Sequence, residues 1–178
     1  MATVLYAVQS FEVFCSLYLR VELAYKPFGR ERQAEGGAIP TSALNEVLDL
    51  LYEKTRTYTF SKMRRIFLRR VLMAENVASL AAARHAIESL KSIKEEPSDD
   101  EINGHPNKEI GALLLAFRDT KLNDLRNRVA HKELYRPSRE EAEEAVKVAG
   151  DILYPLGTYL GLFADDFAVN WYTRRLDP

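Results

Sequence analysis

A run from Thr3 to Tyr25 that is apolar on nearly every side does most to decide what this chain can fold into. Val4, Val8, Phe11, Cys15, Tyr18 and Leu19 recur at helical spacing, which predicts a helix ending near Tyr25. Tyr6, Phe14 and Leu17 fall outside that stripe. A helix that is apolar around most of its circumference must be covered, either by the rest of a helical bundle or in part by another subunit. Gln9, Glu12, Arg20 and Glu22 interrupt the run, and no basic segment or small-residue cleavage site frames it. It therefore reads as a buried helix rather than a signal peptide or a membrane span, and no membrane partner is expected.

The rest of the chain reads as further helices. Lys26 to Pro40 holds two prolines and three glycines among charges and predicts a loop. Thr41 or Ser42 then caps a helix with Leu44, Val47, Leu48 and Leu51 on one face. The β-branched and aromatic residues between Thr55 and Phe60 predict a break, and a long helix follows from Ser61 to about Ile93. Its Ala78 to Ala86 part implies close helix packing. Glu95 to Asn107, acidic and carrying Pro97, Gly104 and Pro106, reads as an exposed loop. A helix over about Lys108 to Leu134 comes next, and Ser138 with Glu141 forms a capping box for another. That helix has Ala142, Ala145, Val146, Ala149, Ile152, Leu153 and Leu156 on its apolar face, and Pro155 should kink or end it. The tail from Asp165 is amphipathic, short and unassigned. With 178 residues and 47% hydrophobic side chains there is material for one sizeable core. The expectation is a single domain over residues 1–178, an all-α antiparallel bundle of about five helices with flexible loops near 26–40 and 95–107.

Charge has to be read by position, since the formal net charge is only -1. Such a chain does not coat nucleic acid wholesale, and any RNA contact needs a local basic patch. Lys62, Arg64, Arg65, Arg69 and Arg70 supply one within nine residues, and Lys62, Arg65 and Arg69 share a helix side. They form either a track for an RNA backbone or a solvated, ion-paired face. Cys15 is the only cysteine, which excludes an intrachain disulfide or a cysteine zinc cluster and fits a reducing, cytoplasmic setting. Asp99, Asp100 and Glu101 lack the spaced ligands and turn glycine of a calcium loop, so neither metal nor cofactor is expected. His85 lacks any partner motif and reads as structural, and His105 reads as solvated.

Leu125-Arg126-Asn127-Arg128-Val129-Ala130-His131 carries the chemistry. At about 100° per residue, Arg126, Asn127 and His131 fall within an arc of about 140°. A fixed cation, an amide and a titratable imidazole thus share one side of a helix, a set suited to gripping phosphate and moving a proton beside it. The alternative is a structural pair in which Arg126 and His131 satisfy the carbonyls at a helix end. The context is an amphipathic helix closed by this segment, with Pro137-Ser138 opening the next one. In that context the segment resembles the HEPN family of helical ribonucleases and nucleotide-binding domains, whose signature is Arg, a polar residue that is often Asn, a short spacer, then His. The likeness covers the C-terminal half, and the N-terminal half contributes compatible helices.

The resemblance implies a metal-independent endoribonuclease. His131 is its general base or acid, Arg126 neutralises charge on the phosphoryl oxygens, and Asn127 orients the histidine or the phosphate. It also implies a homodimer that brings two Arg-His pairs face to face, a role as toxin or antiviral effector, and an antitoxin or regulatory partner. Some family toxins carry a Tyr two positions after the His, where this chain has Glu133 and its nearest Tyr is Tyr135. The competing readings are a module that binds nucleotide or RNA without cleaving it and a helical protein-interaction partner.

Overall fold

The computed structural model describes residues 2–73, 76–131 and 135–162, with Ala2, Asn123, Arg126, Ala130 and His131 described in backbone only. Every regular element among the described residues is helical, and they contain no strand. The chain divides into two compact units, one of Met1–Phe14 with Pro106–Pro178 and the other of Cys15–His105. Helix α1 (Ala2–Arg20) gives its first turns to one unit and its last to the other.

In the unit Cys15–His105, the helix does not stop near Tyr25. A π-helical turn over Val21–Tyr25 leads straight into α2 (Lys26–Ala34), so most of the loop expected over 26–40 is helix. The cause is local. Lys26 donates to the Val21 carbonyl, five residues back, and this widened turn makes room for the ring of Pro27, which in a tight α-helix would collide with the preceding turn. Pro27 and Phe28 are buried as a result. The helix ends where Gly36 takes φ 60°, a left-handed conformation that lets Gly37 donate to Arg32 O at 2.8 Å and Gly36 to Gln33 O at 3.4 Å.

Helix α3 (Thr41–Thr55) buries Leu44, Val47 and Leu51, and its N-cap is Pro40, with no side-chain cap from Thr41 or Ser42. The break before Phe60 falls where the β-branched residues predict it. The single long helix expected from Ser61 is two helices, α4 (Phe60–Met73) and α5 (Leu80–Ser89). Ser79 starts α5 by accepting the Ala82 N–H at 3.2 Å, a cap that interrupts an otherwise helical composition. Close packing of the alanine-rich stretch is observed, with Ala83 and Ala86 buried and α5 lying against α2, α3 and the π-helical turn. Polar clips hold it there: Glu31 accepts the Leu80 N–H at 2.7 Å, Arg30 donates to Val77 O at 3.1 Å, and Arg84 meets Glu46 at 2.6 Å. Tyr18 meets Phe67 edge-on at 5.0 Å between centroids. Burial, aided by Glu22 and opposed by Arg70, pushes the Tyr18 hydroxyl well above the ordinary tyrosine range, so it stays neutral.

The acidic stretch also holds a helix. Ser98 and Glu101 form a capping box that opens α6 (Asp99–Asn103), whose Ile102 is fully buried. His105, expected in solvent, is buried.

In the other unit, Phe11 and Phe14 of α1 stack on Phe117 of α7 (Lys108–Asp119) with centroids 5.1 and 6.2 Å apart. Asn107 caps α7 through the Glu109 and Ile110 N–H groups. The continuous helix expected over 108–134 breaks at Thr120, where ψ is 130°, and α8 (Leu122–His131) begins afresh. Helix α9 (Arg139–Tyr159) opens with the Ser138–Glu141 capping box read in the sequence. It passes through Pro155 and ends in a left-handed Gly161 (φ 67°), with Leu162 donating to Gly157 O at 2.8 Å. Ala145, Ala149, Ile152 and Leu156 form its buried stripe, α7 packs on it, and Val146 is half exposed.

By length and composition, the helical run Thr3–Ala34 is apolar enough to cross a membrane, and half of its most apolar window is buried inside the protein. Val4, Phe11, Cys15, Leu19 and Leu23 are at most 1% exposed, as core positions of a packed helix are, whereas Tyr6 and Val13 stand out into solvent.

Candidate functional site

Helix α8 is fixed by Leu122, Leu125 and Val129, all buried. At about 100° per residue, position 127 lies roughly opposite that stripe, and Asn127 is exposed. The backbone positions of Arg126 and His131 are on the same helix, while the side chains of both lie outside the described residues, as do Lys132, Glu133 and Leu134.

Arg128, between the two motif ends, has an ordered environment that spacing alone did not reveal. Its guanidinium lies 5.0 Å from the centroid of the Tyr135 ring and 3.9 Å from Glu141 Oε1. Tyr135 donates its hydroxyl to Glu141 Oε1 at 2.6 Å, and Ser138 donates its N–H to Glu141 Oε2 at 2.9 Å. The Tyr135 hydroxyl, then the Ser138 N–H, and finally the charge of Arg128 hold the Glu141 carboxyl below the usual glutamate range. The same hydrogen bond raises the Tyr135 hydroxyl above its usual range. Glu141 therefore caps α9 and holds Tyr135, with the exposed Arg128 guanidinium beside them. The signal available in sequence was the capping box itself, whose glutamate has a second oxygen to offer.

Arg128 also borders a groove of about 510 Å³ between α8 and α9. Leu122, Leu125, Ala145 and Val148 line it, with Lys121 and Arg128 on the α8 side and Glu140, Glu141 and Glu144 on the α9 side.

The basic residues of α4 are largely engaged within their own unit. Arg69 donates to the carbonyls of Glu95 (3.1 Å) and Glu96 (3.2 Å) and to Glu101 Oε1 (2.6 Å). Arg64 grips Glu96 Oε1 through Nε and Nη2 at 3.0 and 2.7 Å. Lys62 stands over the Tyr58 ring at 3.7 Å. Arg65 is half-buried, with its Nε enclosed and making no hydrogen bond. Of the expected track, Arg69 is thus committed to the acidic segment, and Lys62 and Arg65 are partly covered.

The strap over Arg69 predicts a pH dependence. The Ser98 N–H, then Arg69, lower the Glu101 carboxyl below its ordinary range, so its contribution is complete above that range and is lost as pH falls through the lowered native value. The helical chemical shifts of α6 should disappear on acidification, and at a higher pH in Arg69→Ala, which removes one of the two groups that hold Glu101 ionised. An unchanged midpoint in that variant would show that Arg69 does not support the strap.

Among the described residues, no three His, Cys, Asp or Glu side chains are grouped to hold a metal ion. No protein-family model, curated protein or solved structure matches the chain.

Proposed function

We propose that the protein is a metal-independent endoribonuclease of HEPN type, cytoplasmic and working as a homodimer. The single observation that carries this reading is the run Arg126-Asn127-Arg128-Val129-Ala130-His131 on a short helix whose other side is anchored by Leu122, Leu125 and Val129. The resemblance implies the reaction. The ribose 2′-hydroxyl attacks the adjacent phosphorus, and the bond to the 5′-oxygen of the next nucleotide breaks. A 2′,3′-cyclic phosphate and a 5′-hydroxyl remain. His131 takes or gives the proton, Arg126 stabilises the charge that grows on the non-bridging oxygens, and Asn127 orients the histidine or the phosphate.

One imidazole does not readily serve both the attacking and the leaving oxygen. A two-fold axis beside α8 supplies a second Arg126-His131 pair to the same cleft, so the dimer is part of the mechanism. A role in toxin or antiviral systems, with an antitoxin or regulatory partner, extends the same resemblance.

Because the nucleophile belongs to the substrate, the purified protein should cleave RNA in EDTA and leave 2′,3′-cyclic phosphate ends. Cleavage that stops with chelator and returns with a divalent cation would refute this reading.

A further inference from the structure

The groove between α8 and α9 has two unlike walls. On the α8 wall, the Arg128 guanidinium lies beside the Tyr135 ring and Glu141, and Lys121, just before the helix, lines the same groove. On the α9 wall, Glu141 is occupied by Tyr135 and Ser138. Glu140 and Glu144, one turn apart, make no hydrogen bond or ion pair among the described residues. The floor between the walls is apolar, from Leu122, Leu125, Ala145 and Val148. A volume of about 510 Å³ is that of a small-molecule site, a mostly apolar cleft with a few polar groups that set orientation.

We propose that this groove seats a guanine nucleotide of the RNA, with its phosphate toward Lys121 and Arg128 and its Watson–Crick edge toward Glu140 and Glu144. The assignment deepens the ribonuclease reading and rests on it for the nature of the ligand. Cations on one wall meet the phosphate, which the planar guanidinium of Arg128 can grip by two N–H groups. The opposite wall selects the base. An ionised carboxylate only accepts hydrogen bonds, and guanine alone presents two adjacent donors, N1–H and the exocyclic N2–H. Adenine and cytosine set a ring acceptor beside their amino group, and uracil sets its one N–H between two carbonyls. Each of these turns at least one lone pair on the carboxylate. The apolar floor takes the face of the base. Arg128 belongs to the motif helix, but the groove opens on its Leu122 and Leu125 side, roughly opposite Asn127, so the seat would select the guanosine held against α8 while the strand passes round the helix to the motif positions.

The test is titration of the full chain with 3′-GMP, 3′-AMP, 3′-CMP and 3′-UMP at low salt, followed by NMR. We expect 3′-GMP to bind more tightly than 3′-AMP by roughly tenfold, the discrimination of one good two-point base contact, with shifts at Leu122, Leu125 and Ala145. In the double variant Glu140→Gln, Glu144→Gln, both on exposed positions, the preference should disappear while the circular dichroism spectrum stays unchanged. Equal binding of all four nucleotides, shifts mapping elsewhere, or a preference surviving in the double variant overturns the assignment. Guanine preference in a protein that cleaves no RNA upholds the seat and removes the ribonuclease reading. Cleavage with no preference for guanosine removes the seat and leaves that reading standing.

Discussion

His131→Ala should lower the rate of RNA cleavage by about 10²–10⁴-fold, the usual worth of a positioned general acid or base, and leave RNA affinity nearly unchanged. On the proposed reading, binding rests on cations meeting phosphate, and the imidazole adds little to it. Arg126→Ala should instead damage both, because on that reading its charge faces phosphate in the ground state and in the transition state alike. Single-turnover cleavage and equilibrium binding, measured on the same preparations, separate the two effects. A His131→Ala protein as active as the wild type, shown free of contaminating nuclease, would remove the catalytic assignment and leave a module that binds RNA without cutting it. Mixing the two inactive variants under subunit exchange adds a test of the dimer. Partial activity in the mixture means that one Arg126 and one His131 in a shared cleft suffice.

How much of this was legible in the sequence depends on how local each signal is. The Ser138–Glu141 box is a four-residue pattern with a fixed hydrogen-bond geometry, and it starts α9 where the sequence says it should. The equivalent Ser98–Glu101 box opens α6, yet the prolines and acids around it gave that segment the composition of a loop. Apolar periodicity continues across Ser79 and Thr120 and gives no sign of the breaks there, where a single side-chain cap starts one helix and one extended residue ends another. The reverse holds at Pro27, where a helix breaker is absorbed by a π-helical turn that no spacing announces. The fate of the α4 arginines was beyond local reading altogether. Arg64 and Arg69 find their carboxylates 32 residues further on, and neither segment by itself says that the other will cover it. For the site, the Arg126–His131 spacing is visible in one helix, but the groove beside it needs α8 and α9 together.

Phe117→Ala should be the most damaging of the core substitutions in its unit, costing about 3–5 kcal/mol, the range for deleting a buried phenyl ring and leaving a cavity. The ring is fully buried and contacts both Phe11 and Phe14, so its loss strips one face from two further aromatics. At roughly 2–4 °C per kcal/mol for a chain of this size, the melting temperature should fall by on the order of 10 °C. Phe117→Leu keeps most of the volume and should cost less. Tyr6→Ala, on the same α1 as Phe11 but 68% exposed, should change stability by no more than about 0.5 kcal/mol. Calorimetry on the three variants decides it, and a Phe117→Ala protein that melts with the wild type would show that the three rings do not hold this unit together. The consequence reaches the motif helix. Phe117 lies five residues before Leu122, where α8 begins, and only Thr120 and Lys121 separate α7 from α8. Whatever loosens the end of α7 therefore loosens the base on which Asn127 and the flanking motif positions are carried. Well below its melting temperature Phe117→Ala should bind 3′-GMP more weakly than the wild type even though Phe117 does not line the groove.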